Sequence, residues 1–338
     1  MNIRIISFTD RGRARSQILA ASLSDHLVQQ YAKADGFLPY ASVRTFAEEG
    51  MAQADLLVFI GATGIAVRAI APFVRSKDTD PAVLVIDENG RFVISLLSGH
   101  IGGANAWAQR LAQTLGAVPV ITTATDGRGV FAVDSWGVQH DCSVKDIREI
   151  KHLSGALLRG EQVGLCSDFP IRGALPDGVQ LDVSQDCGML ISIREPEQMP
   201  FAHTVQLVPH IVHVGVGCKK QTDPCAMRSW ADSILQKMHI VPQAVASVSS
   251  IDLKKEEAAV LELAQAWRVP VHFFCAQELE QVKGKFPPSA FVRSITGTDN
   301  VCQRAAAKAS ENGRCLLAKT AQDGMTISIY EKEWRAEF

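Results

Sequence analysis

The run Ser98-Gly99-His100-Ile101-Gly102-Gly103-Ala104-Asn105 concentrates chemistry-bearing residues at one point of the chain. It follows an apolar stretch, Phe92 to Leu97, that reads as a strand, and it leads into a stretch of helical periodicity. Glycines let backbone N–H groups approach a ligand closely, and a helix start favours an anion. His100 brings an imidazole, the side chain suited to moving a proton around neutral pH. The pattern predicts a loop that holds a charged ligand, with catalysis or a structural hydrogen bond as the two readings of His100.

Two further glycine runs invite the same question. Gly61-Ala62-Thr63-Gly64 stands between a strand-like and a helix-like stretch, with Arg68 one turn on and Arg75 and Lys77 beyond. Ligands of open α/β sheets bind outside the carboxyl ends of strands, so this is either an anion-holding turn or a tight βα turn that needs glycine. Set beside the Ser98 run, it is expected to line the same sheet edge. Gly215-Val216-Gly217-Cys218-Lys219-Lys220 is a third expected turn after a strand, with two ammonium groups for an anion. Cys218 has no identifiable base beside it. His210 and His213 fall on a strand-like stretch, where they point to opposite faces and do not share a metal.

No G-x-G-x-x-G and no G-x-x-x-x-G-K-[ST] occurs, which argues against a nucleotide site. No two of the 8 cysteines form a C-x-x-C pair and no H-E-x-x-H is present, so no metal site is expected. The scattered cysteines read as reduced thiols of a cytoplasmic protein. Net charge is -2, which argues against nucleic-acid binding, and no long apolar run predicts a membrane span.

The elements that must position these residues alternate along 338 residues. Strands are expected at Ile3–Phe8, Asp55–Ile60, Ala82–Ile86, Phe92–Leu97 and Val118–Ile121, and helices at Gln17–Tyr31 and Ile65–Ala71. A helix from Ala104 has Trp107, Ala108, Leu111 and Ala112 on one face and Gly116 as its cap. Asp87-Glu88-Asn89-Gly90 is a turn that pairs Phe92–Leu97 back on its predecessor. The middle reads less clearly, with a helix at Val144–Leu158 and strands at Gln162–Cys166 and Met189–Ile193. From Ile211 a second series follows: a strand to Val216, helices at Pro224–Met238 and Asp252–Trp267, a strand at Val269–Phe274 and a polar turn at Ser294–Asn300. A helix at Asn300–Ala309 and two closing strands complete it. This predicts an α/β protein: two Rossmann-like three-layer units with mostly parallel sheets, residues 1–128 and 210–338, joined by a smaller mixed module, 129–209.

In order along the chain, the motifs resemble one family. Gly61-Ala62-Thr63-Gly64-Ile65-Ala66-Val67-Arg68, Lys77-Asp78-Thr79-Asp80-Pro81, Ser98 to Asn105 and Ile121-Thr122-Thr123-Ala124-Thr125-Asp126 are similar to the CbiG family of anaerobic cobalamin biosynthesis. Gly215 to Lys220, Ser250-Ile251-Asp252-Leu253-Lys254, Pro288-Ser289-Ala290-Phe291-Val292 and Thr296-Gly297 extend the resemblance, and this half also resembles the CobE protein. Gln221 stands where the family pattern suggests glycine. The resemblance implies hydrolysis of the ring A δ-lactone of cobalt-precorrin-5A, with release of C20 and its methyl as acetaldehyde. It implies a cobalt-corrinoid substrate, no further cofactor, and transient hand-off to corrin-pathway methyltransferases. The residue chemistry then suggests His100 as general acid or base and the N–H groups of Gly102 and Gly103 as oxyanion donors. Substrate contacts would come from Gly61, Thr63, Gly64, Arg68, Lys77, Ser98, Gly99, Asn105, Gly215, Gly217, Lys219 and Lys220. A corrinoid carrier without activity, and a nucleotide-dependent oxidoreductase, are the alternative readings.

Overall fold

The structure is a computed structural model and describes residues 1–76, 79–123, 129–181 and 184–338. The chain forms two compact units, Met1–Val138 with Leu157–Arg159, and Gln139–Ala156 with Gly160–Phe338.

In the first unit the apolar strands β1 (Asn2–Ser7), β3 (Leu56–Ile60) and β4 (Ala82–Ile86) run parallel, with β2 (Leu27–Tyr31) parallel at the edge. The sheet order is β2-β1-β3-β4-β5-β6, where β5 is Phe92–Leu97 and β6 is Val118–Val120. β5 runs antiparallel to β4, and β6 parallel to β5. Every residue of β3 and β4 is buried, as expected for strands covered on both faces. One face packs Ile3, Ile5, Val58 and Leu84 against α1 (Asp10–Ser22) and α4 (Ala104–Leu115). The other packs Ile6, Leu57, Phe59 and Val85 against α2 (Val43–Gln53) and α3 (Thr63–Ile70). The helix expected at Gln17–Tyr31 begins earlier and stops at Ser22. Thr9 caps it, accepting from the Gly12 N–H at 3.1 Å, and Leu27–Tyr31 instead pairs with β1 as an edge strand.

The second unit holds two larger sheets. Before it, α5 (Val133–Gln139) ends the first unit's series. The middle module, opaque in the sequence, has a five-stranded sheet in the order β10-β8-β11-β12-β7. Its strands are β7 (Cys142–Val144), β8 (Val163–Ser167), β10 (Val179–Gln180), β11 (Cys187–Ile191) and β12 (His203–Pro209), with only β7 antiparallel. The short β9 (Ile171–Arg172) pairs elsewhere, with β18 (Ala336–Glu337). Of the helix expected at Val144–Leu158, only α6 (Ile150–Leu158) is α-helical, after a 3-10 turn at Ile147–Glu149.

The last sheet has the order β15-β14-β13-β17-β16. Its strands are β13 (Val212–Cys218), β14 (Val245–Ile251), β15 (Val271–Phe274), β16 (Arg314–Gln322) and β17 (Met325–Glu331). β13, β14 and β15 are parallel and β17 pairs antiparallel with β13. Two long helices, α7 (Pro224–Lys237) and α8 (Ala258–Trp267), bury Met227, Ala231, Leu235 and Leu263 against one face. After the short α9 (Ala276–Glu280), α10 (Ala290–Thr296) replaces part of the expected polar turn. Ser289 caps it, and Gly297 ends it at φ +78°. The other face of the sheet takes α11 (Cys302–Ala309).

Candidate active site

The antiparallel turn of β5 separates two glycine runs expected on one edge. Ile60 at the end of β3 pairs with Ile86 at the end of β4, whereas Leu97 at the end of β5 pairs with Val83 near the start of β4. The Gly61 run and the Ser98 run therefore sit at opposite edges of the sheet, and the expectation that they line one edge is corrected.

The Ser98 run closes the carboxyl end of β5, beside that of its parallel neighbour β6. Ser98 takes a left-handed φ of +57° and its Oγ donates to the Asp80 carbonyl at 3.0 Å. Glycine is required at Gly102, where a Cβ would lie 2.4 Å from Ser98 Cβ and 2.9 Å from its carbonyl oxygen. At Gly99 a Cβ would come within 2.8 Å of Asn105 Oδ1. Asn105 is buried and links β5 to the segment after β6: Oδ1 accepts from Ser95 Oγ at 2.7 Å and Nδ2 donates to Thr123 Oγ1 at 3.1 Å. Its amide anchors the loop.

The loop also uses the N–H groups expected to serve a ligand. Gly103 donates to the His100 carbonyl at 2.9 Å, Ala104 to Ser98 at 3.1 Å and Asn105 to Gly99 at 2.9 Å. The expected oxyanion pair thus loses Gly103. For the Gly102 N–H, the described residues supply no carbonyl acceptor.

His100 gains partners that the sequence reading missed. Its Nδ1 lies 2.6 Å from Ser135 Oγ and 3.7 Å from Asp134 Oδ1, both on α5. The imidazole and carboxylate are shielded, with side-chain exposures of 17% and 11%. A carboxylate only accepts, so its field favours the proton on Nδ1 and leaves the lone pair on Nε2. This arrangement can take a proton at Nε2 and stabilise the resulting imidazolium. The signal available in the sequence was Asp134-Ser135 near the start of a short helix, but nothing there places it beside His100.

At the opposite edge, Gly61 donates its N–H to Ile86 at 2.8 Å, and a Cβ there would meet the Phe8 ring at 2.8 Å. Close packing therefore explains Gly61. Ala62 gives α3 no side-chain cap, Thr63 is its first residue, and exposed Arg68 folds back over Gly64. The carboxylate of buried Asp80 accepts from the backbone N–H groups of Arg75, at 3.0 Å, and Ser76, at 3.1 Å. Lys77 lies outside the described residues, as do Ala124, Thr125 and Asp126.

In the second unit, Gly215 and Gly217 lie inside β13 rather than in the expected turn. A Cβ on Gly215 would sit 1.8 Å from the Cys302 carbonyl oxygen, so this glycine lets α11 cross the sheet. Gly217 faces Thr326 Oγ1 on β17, at 2.7 Å from a built Cβ. Lys219 and Lys220 are exposed beyond the strand, and Gln221 occupies a left-handed φ of +57°. That conformation explains why glycine suits the position. Burial raises the Cys218 thiol pKa, which opposes a nucleophilic thiolate. His210 contacts Ser143 and Asp141, while His213 contacts Ser247, so the two rings have separate partners.

Family models match three successive segments: Cobalamin synthesis G N-terminal over residues 45–126, Cobalamin biosynthesis central region over 131–209, and Cobalamin synthesis G C-terminus over 212–330. The chain is 36% identical to a cobalt-precorrin-5A hydrolase of Salmonella typhimurium, covering 97% of each chain. It is 28% identical to a cobalt-precorrin-5A hydrolase of Priestia megaterium, over 81% of this chain and 77% of that one. It is also 32% identical to protein CobE of a Sinorhizobium species, over 28% of this chain and 61% of CobE.

Proposed function

Because the chain belongs to the CbiG family along its three matched segments, we propose that it is a cobalt-precorrin-5A hydrolase. The observation that carries this reading is the 36% identity to the Salmonella hydrolase across 97% of both chains. In the proposed reaction, water adds to the ring A lactone carbonyl and the carbonyl carbon–oxygen bond breaks. This frees the ring A acetate and a hydroxyl on C20. That hydroxyl loses its proton as its oxygen forms a carbonyl with C20, and the bond from C20 to C1 breaks. The macrocycle takes the electron pair, acetaldehyde leaves, and cobalt-precorrin-5B remains.

His100 supplies the proton chemistry. Nε2 removes the proton from the attacking water, while Ser135 and Asp134 hold Nδ1 and stabilise the imidazolium. The Gly102 N–H is the remaining backbone donor for the oxyanion. Ser98, Gly99 and Asn105 fix the loop that carries both groups. Gly61, Thr63, Gly64 and Arg68 stand at the other sheet edge and take no part in the hydrolytic step. In the second unit, Lys219 and Lys220 are exposed beyond β13, where their ammonium groups can pair with carboxylates. Cobalt travels in the substrate, so the proposal adds no cofactor, and product passes to corrin-pathway methyltransferases. No helix among the described residues is long and apolar enough to cross a membrane.

Incubating the purified protein with cobalt-precorrin-5A, without added cofactor, tests this reading. A hydrolase releases acetaldehyde over repeated turnovers. A carrier binds the corrinoid and returns it unchanged.

A further inference from the structure

Three metal-ligand side chains gather in the middle module. Glu149 ends the 3-10 turn at Ile147–Glu149, and His152 follows in the first turn of α6. A spacing of three along a helical path puts both on one face. His203 opens β12 and arrives from a distant part of the sequence. Its Nδ1 lies 3.0 Å from Glu149 Oε2, and its ring stacks on His152 with centroids 3.8 Å apart and 9° between planes. One ligand atom from each residue lies within 4.8 Å of the other two, the one such group among the described residues. We propose that Glu149, His152 and His203 bind a divalent cation of borderline softness, such as Zn(II) or Co(II).

The donor set selects the ion. Two imidazoles and one carboxylate suit Zn(II) and its neighbours, whereas Mg(II) and Ca(II) prefer oxygen donors alone. A carboxylate–imidazole contact accounts for two of the residues, but a second imidazole laid face to face on the first adds no hydrogen bond. A shared cation gives both rings a ligand role. Three protein ligands leave a position for water, and the side chains of Glu149 and His203, 28% and 42% exposed, give solvent and ion access.

The stack also states what must move. Lone pairs lie in the ring planes, and parallel planes do not meet at one ion. Loading therefore turns one imidazole about its Cβ–Cγ bond and opens the stack. The bound ion ties the start of α6 to β12 and stabilises the module through binding to the folded state alone.

The test uses the full-length protein stripped of metal and titrated with Co(II), read by its d–d absorption and by Tm. One equivalent binds without a thiolate charge-transfer band, raises Tm and is displaced by Zn(II). His152→Ala and His203→Ala each lose that equivalent and the Tm rise, with their far-ultraviolet circular dichroism unchanged. Absence of Co(II) binding in the wild type overturns the proposal. So does an equivalent that survives both substitutions, or one that carries a thiolate band. Acetaldehyde release is not the readout, so this result is separable from the hydrolase reading.

Discussion

Among single residues, the proposed hydrolysis depends on His100 and on the pair beside its Nδ1. His100→Ala lowers acetaldehyde release by about 100-fold or more if Nε2 is the base. A steady-state assay showing near wild-type turnover would remove it from the mechanism. Asp134→Asn removes the charge that stabilises the imidazolium, so kcat falls while KM holds, and Asp134→Glu recovers part of the loss. A second histidine speaks to stability. Burial depresses the His213 pKa from 6.5 to about 4, and its Nε2 is buried with no hydrogen-bond partner among the described residues. The unfolded chain then binds a proton that the fold refuses. Stability is full above the unfolded value and falls as pH drops from 6.5 towards about 4, a loss of about 3 kcal/mol across the window. Urea unfolding of His213→Asn should show a shallower decline with acid than the wild type; parallel declines would contradict this. His100 was legible as a candidate because glycines frame it. Ser135 and Asp134 were not, because their proximity to His100 exists only once β5, α4 and α5 are folded.

Elements decide which glycines matter and why. The turn Asp87-Glu88-Asn89-Gly90 announces that β5 pairs back on β4. Its consequence, that the loop after β5 faces away from the Gly61 run, follows only from the pairing register. Glycines at the ends of strands likewise look alike in sequence. Gly215 turns out to admit α11, whose Cys302 carbonyl would lie 1.8 Å from an added Cβ. Gly215→Ala should therefore destabilise the protein by at least about 2 kcal/mol by forcing strand and helix apart, read from the urea midpoint. An unchanged midpoint would mean that the helix shifts freely. Gln221→Gly relieves a left-handed side chain and should raise stability by up to about 1 kcal/mol, while an unaltered or lower midpoint would show that the Gln221 side chain compensates. β14 and β12 escaped the periodicity reading. In β14 the small residues Ser247, Ser249 and Ser250 are fully buried, or nearly so, and so mask an interior strand with polar letters.

For the whole molecule, the α/β alternation was legible because strands buried on both faces read as continuous apolar runs, as Leu56–Ile60 and Ala82–Ile86 do. The middle module was not, since its short β9 and β10 lie in a polar stretch with proline and glycine. The order of motifs from Gly61 to Gly297 carried the family reading where no single motif would have sufficed. In the proposed reaction this chain adds water to the lactone carbonyl and so releases C20 as acetaldehyde. The direct measurement is one reaction of the purified protein with cobalt-precorrin-5A in water enriched with heavy oxygen and without cofactor. One acetaldehyde per substrate consumed and one heavy oxygen in the ring A acetate of the product are expected. Corrinoid returned unchanged, or acetaldehyde released with an unlabelled acetate, would contradict it.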